Sequence, residues 1–188
     1  MKMKSNYISW QTWIKDKDVC KNSLDNYIKK GVIRSNALPP TLHLKKAEHN
    51  FTFANWLIEQ HSDTIPETFS NDENFYDWVV TAYYYSIYHM TLALLSTKHL
   101  SSKSHAATLC AVIYYFFHKT QALESDDIEL LGNYLTADDI GAFSEAKSLR
   151  ERVCYGVSRT FDTNIAYGAK NNTKKFLKKV KIILSHGM

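Results

Sequence analysis

The hydrophobic pattern of the chain is organised around the stretch from Asp77 to His105. At helical spacing Phe75, Trp78, Val79, Ala82, Ser86, His89, Met90, Ala93 and Leu94 fall along one broad stripe, which predicts a central bundle helix. Tyr83, Tyr84 and Tyr85 sit abreast in its middle. Successive helical residues point about 100° apart, so one or two of these rings must face neighbouring helices while another reaches the rim. A buried tyrosine hydroxyl then needs a hydrogen-bond partner.

Other periodic segments surround it. Tyr7 to Lys30 mixes Trp10, Trp13, Ile14, Leu24, Tyr27 and Ile28 with lysines and predicts an appended helical hairpin. Gly31 and the Pro39-Pro40 pair then mark a break, with Thr41 placed to cap a new helix. From Thr41 to His61 the stripe Leu44, Ala47, Phe51, Ala54, Leu57 and Ile58 predicts the first bundle helix. A polar linker with Pro66 comes next, and Ser70-Asn71-Asp72 supplies capping groups for the central helix. Ser101, Ser102 and Ser104 offer caps for a third helix carrying Ala106, Leu109, Cys110, Ile113, Phe116, Phe117 and Thr120.

Glu124 to Glu129 reads as a short acidic turn. It leads to a fourth helix that starts at Asp138-Asp139, carries Ile140, Phe143, Ala146, Leu149, Arg150, Val153 and Cys154, and ends at Gly156. A last helix turns Ile165, Ala169, Thr173, Phe176, Val180 and Ile183 inward, and Lys174, Lys175, Lys178, Lys179 and Lys181 outward. The expected architecture is an all-α, antiparallel up-and-down bundle of four to five core helices, residues 41–186, with an N-terminal helical extension, residues 1–40.

Composition agrees with one helical domain. The 188 residues are 45% hydrophobic and contain six glycines and three prolines, so turn signals are few and strand-like alternation is hardly visible. A net charge of +4 permits a nucleic-acid partner without requiring one. Cys20, Cys110 and Cys154 are odd in number and form no CxxC, as expected of buried free thiols in a reducing compartment. The opening MKMKSNYISW has neither the apolar core nor the cleavage site of a signal peptide, so a cytoplasmic location is expected. Trp78 to Thr97 lacks Asp, Glu, Lys and Arg, but its tyrosines, His89 and Ser86 suit a protein core better than lipid, and no membrane partner is expected.

No nucleotide-cradling glycine loop, nucleophile elbow or HExxH is present. The histidines show no metal-ligand spacing, and inward carboxylates are too sparse for a di-iron bundle, so neither a metal nor a cofactor is expected. His89, on the apolar stripe, reads as a satisfied core histidine, and the terminal lysine face as a solvated exterior.

The succession HLKKAEHNFTFANWL, YDWVVTAYYYSIYHMTLALL, KSH and LRERVCYG, followed by a lysine-bearing final helix, resembles the HEPN domain family over residues 43–184. That resemblance implies a helical bundle, usually dimeric, of a kind found in RNA-cleaving toxins and RNA-binding modules and often paired with a small nucleotidyltransferase. The nuclease members carry an arginine followed a few residues later by a histidine. Here Arg150 is followed at the matching place by Tyr155, and the next histidine is His186. Cleavage of RNA without a metal needs groups that take and give protons near neutrality, as histidine does and tyrosine, titrating near 10, does not.

Two arrangements are therefore open for the polar residues. In one, Arg150, Tyr155, His105, Lys103, Ser104 and one of Tyr84 or Tyr85 line a pocket for RNA or a nucleotide; in the other they satisfy each other inside the bundle. The expected function is a binding module for RNA, a nucleotide or a partner protein in a toxin–antitoxin or defence setting. The alternatives are a ribonuclease using Arg150 and Tyr155 with His105, and an antitoxin or scaffold.

Overall fold

The computed structural model describes residues 9–70, 73–135 and 163–186, and these are almost entirely helical. In chain order they form α1 (Trp10–Lys15), α2 (Lys17–Lys29), β1 (Ile33–Arg34), α3 (Pro40–Glu59), α4 (Thr64–Thr68) and α5 (Tyr76–Ser96). After these come β2 (Ser101–Ser102), α6 (His105–Val112) running into a π-helical stretch (Ile113–Lys119), α7 (Ser125–Leu135) and α8 (Thr163–His186). The all-α class is as the periodicity predicts. The expected fourth helix, with Arg150, Cys154 and Tyr155, lies outside the described residues, as do Asn71 and Asp72.

The long helix α5 is the hub. It packs most extensively on α3 and next on α8, with α6 and α7 against its other flanks. Polar links show that α3 runs antiparallel to it: Tyr83 donates to Asn55 Oδ1 (2.9 Å) and Ser86 to the Ala47 carbonyl (2.8 Å), so the partner number falls as the α5 number rises. Small residues at these contacts, Ala47 and Ala54 on α3 and Ala82 and Ser86 on α5, are buried and let the axes approach. Ala166 and Ala169 of α8 pack with Val79, Val80 and Tyr83. Phe176 and Val180, further along α8, join the main core with Ile87, Met90 and Leu94. A fully buried side chain such as Phe176 would cost about 3–5 kcal/mol to truncate.

The N-terminal helices share that core. Trp13, Cys20, Leu24 and Ile33 are buried in it, and the Trp13 carbonyl accepts from His118 Nε2 at 2.7 Å. After α2, Gly31 takes a left-handed conformation (φ 68°) and two backbone bonds, Val32 N–H to Tyr27 and Gly31 N–H to Ile28, close the helix end. The chain then pairs Ile33 with Ser102 and Arg34 with Ser101, a two-stranded clasp holding the extension to the α5–α6 turn.

Several local expectations change. Thr41 lies inside α3, whose first residue is Pro40 and whose N-cap is Pro39, without a side-chain cap bond. The Pro66 linker contains the single-turn α4, held by the buried Ile65. Ser70 does not cap α5: the N-cap is Phe75, whose N–H donates to His61 Nε2 at 3.0 Å. The acidic segment from Glu124 is no turn but the start of α7, because Asp127 accepts the Glu124 N–H (2.8 Å) and nucleates a helix there. Trp78 and Ile165, placed inward by periodicity, are exposed. Ser104 does cap α6, accepting the Ala107 N–H at 3.3 Å.

Candidate functional site

The three abreast tyrosines divide as helical geometry requires. Tyr83 is fully buried with its hydroxyl on Asn55, and burial holds that hydroxyl well above its usual value. Tyr84 is half-buried, and Tyr85 is 44% exposed. Tyr84 is the centre of a group of rings where α5, α6 and α7 meet. Its hydroxyl lies 3.3 Å from His105 Nδ1. Its ring stacks at 16° and 6.3 Å with Tyr134 of α7 and meets Tyr85 edge-on at 5.2 Å. One turn further along α5, Tyr88 meets His105 edge-on with ring centroids 4.6 Å apart.

These contacts follow from local structure. Tyr84 and Tyr88 are four apart and share a face of α5, while Ser104 caps α6 and so fixes His105 as its first residue. Burial pushes the Tyr134 hydroxyl up to about 12. Tyr88 is raised as well, by burial first and by Tyr85 second. Near neutrality these phenols remain protonated, so they offer ring faces and hydrogen-bond donors but no phenolate base.

The same side of α5 carries a histidine pair. His89 Nδ1 and His43 Nδ1 of α3 lie 3.4 Å apart, with ring planes at 27°. His89 is pushed down to about 4 by burial, by His43 and by Lys46, and burial lowers His43 too. His89 is therefore half-buried beside a second imidazole, not enclosed in the apolar core. Trp78 (55% exposed) and Tyr85 stand two turns apart on this open side.

Of the residues picked out by sequence, Tyr84, Tyr85 and His105 come together here. Ser104 adjoins them but uses its hydroxyl as the helix cap, and Lys103 is exposed in the same turn. Arg150 and Tyr155 lie outside the described residues. Sequence reasoning misses Tyr134, which sits on the approach to the expected fourth helix. It also misses Tyr88, and it treats His43 and His89 separately. The pairing of α3 with α5 in antiparallel register is the signal that links them.

The lysine face of α8 is partly neutralised. Lys179 pairs with Asp127 and with Glu124 (3.3 Å), and Lys181 pairs with Glu48 at 2.6 Å. Burial lowers Lys179, but its bonds to Asp127 and Glu124 more than reverse this and raise it overall. Lys174, Lys175 and Lys178 are exposed.

Among the described residues no helix is long and apolar enough to cross a membrane, and no group of three or more His, Cys, Asp or Glu is placed to hold a metal ion. Cys20 and Cys110 are buried free thiols, and Cys154 lies outside the described residues. No family model matches the chain, and no curated protein matches it.

Proposed function

We propose that this chain is a HEPN-like helical module that binds RNA through the ring-bearing side of α5. The observation that carries the reading is the cluster of Tyr84, Tyr85, Tyr88 and His105, which offers half-exposed ring faces beside an exposed lysine, Lys103. Unpaired bases stack on such rings without regard to sequence, and each stack is worth about 1–3 kcal/mol. Dimerisation and a nucleotidyltransferase partner belong to this reading through the family resemblance alone. Catalysis is left out of it, because Tyr155 stands where the nuclease members have histidine.

The test is titration of labelled single-stranded RNA in EDTA, followed by anisotropy and by gel. Binding that Tyr85→Ala weakens by roughly 5–150-fold, the equivalent of one lost stack, with the RNA left intact, supports the proposal. Equal affinity in wild type and variant removes it. Cleavage by wild type and not by Arg150→Ala replaces it with a metal-independent ribonuclease.

A further inference from the structure

The positive charge of the chain is gathered in its last helix. α8 carries six lysines and no acid over Thr163–His186, against a net charge of +4 for the whole sequence, so the rest of the chain is net acidic. An asymmetry of this kind marks a surface for a polyanion. Lys179 is answered by Asp127 and Glu124, and Lys181 by Glu48, while Lys170 lies over the Tyr167 ring at 5.7 Å. Lys174, Lys175 and Lys178 are exposed and have no acidic partner among the described residues. The buried stripe sets their direction: Thr173, Phe176, Leu177 and Val180 face the core, so the lysines between them turn outward, within about 100° of arc and about 6 Å of rise. One turn before them stand Asn171 and Asn172, both exposed, and one turn after them Ile182. One exposed isoleucine is too little apolar area to hold a helix in a bilayer, so phosphates in solution fit this face better than a lipid surface does.

We propose that Lys174, Lys175 and Lys178 form a phosphate-binding surface for single-stranded RNA, separate from the ring cluster on α5. The ligand class is that of the RNA reading above, on which this surface rests, but no residue is shared between the two. Tyr83 is buried with Ala166 and Ala169 of α8, and Tyr85, two residues further on, points about 200° away from it. Tyr85 and the lysines therefore lie on opposite sides of α5, and a strand touching both must pass round the molecule. Lysine ammonium groups act on phosphate as point charges, whereas the rings hold bases. The two surfaces answer differently to salt, because each phosphate neutralised on a single strand adds about 0.7 to the slope of log affinity against log salt, while a stacked base displaces no counterion.

Anisotropy of a labelled single-stranded RNA, titrated with the full-length protein in EDTA over a series of KCl concentrations, tests this. Lys174→Gln, Lys175→Gln and Lys178→Gln together should lower the salt slope by about 2. Lys15→Gln, Lys17→Gln and Lys29→Gln together remove the same charge from exposed positions of α1 and α2 and should leave the slope as in the wild type. Circular dichroism checks that each variant is folded. A wild-type slope in the α8 triple overturns the proposal, and so does an equal loss in both triples, which would make net charge the cause. A wild type that binds anionic phospholipid vesicles and no RNA overturns it as well, together with the α5 reading. Normal affinity in Tyr85→Ala beside a lowered slope in the α8 triple leaves the lysine surface standing and removes the α5 reading alone.

Discussion

Cys20 and Cys110 point their thiols at each other's backbone: each Sγ lies 3.5 Å from the other residue's carbonyl oxygen. The reciprocity brings α2 and α6 together at a point where both side chains are fully buried. Hydrogen bonding to Cys20 first, and burial second, hold the Cys110 thiol well above its usual value. A larger side chain has nowhere to go. Cys20→Leu should destabilise the protein by about 1–3 kcal/mol through overpacking, while Cys20→Ala should cost about 1 kcal/mol. Urea denaturation of the two variants separates these outcomes, and a neutral Cys20→Leu would show that the extension is loosely docked.

Gly132 offers a second steric test. A β-carbon built on it would lie 2.4 Å from Cε2 in the middle of the Trp10 indole. Gly132→Ala raises helix propensity by up to about 1 kcal/mol, yet the clash should win and give a net loss of about 1–2 kcal/mol. The loss should shrink in a Trp10→Ala background, as a double-mutant cycle by thermal melting would reveal.

Asp127 does two jobs, accepting the Glu124 N–H at the start of α7 and pairing with Lys179 of α8. Its side chain is 8% exposed, whereas that of Lys179 is 27% exposed. Removing the lysine leaves a buried carboxylate that keeps the Glu124 N–H; removing the carboxylate leaves a cation that can reach water. Lys179→Met should therefore cost about 1–3 kcal/mol, and a subsequent Asp127→Asn should recover part of it. Chemical denaturation of the single and double variants checks the order.

The histidine pair predicts a pH dependence. His89 is held near 4 in the fold and returns to about 6.5 on unfolding, and His43 shifts in the same direction. Between those values the unfolded chain binds more protons, so this contribution to stability is complete above about pH 6.5 and is lost as the pH falls towards 4. His89→Gln should flatten the loss across that window in urea midpoints measured at stepped pH. An unchanged slope would assign the acid sensitivity elsewhere.

Much of the helical framework is legible in the sequence because a buried stripe repeats. On α3, Ala47, Ala54 and Ile58 fall where three-and-four spacing puts them, and on α8 so do Ala169, Thr173, Phe176 and Val180. Spacing is least informative on α5 and α6, whose residues are apolar nearly all round. There Trp78 satisfies the period and still faces solvent, because a hub helix has several buried directions and an apolar residue fits any of them. α7 escapes because its opening is acidic, and Asp127 acts through a cap and a partner 52 positions away. Among the site residues, the run Tyr83 to Tyr85 announces itself. Tyr134 and His43 reach the same side only through helix pairing that no local pattern encodes.

The π-helical stretch Ile113–Lys119 carries one residue more than α-helical winding would need, with Thr120 N–H reaching back five residues to the Tyr115 carbonyl. That surplus sets the rotational phase at the end of the stretch: it turns His118 onto the Trp13 carbonyl and brings Phe116 into the core while Lys119 lies over the Tyr114 ring. Shortening the stretch by one residue would rewind it as α-helix and rotate its end by about 100°. His118 would swing off the N-terminal helices with no substitution having touched them. Length, more than residue identity, is the constraint on this segment, and insertions or deletions here should be far less tolerated than exchanges among its aromatic side chains.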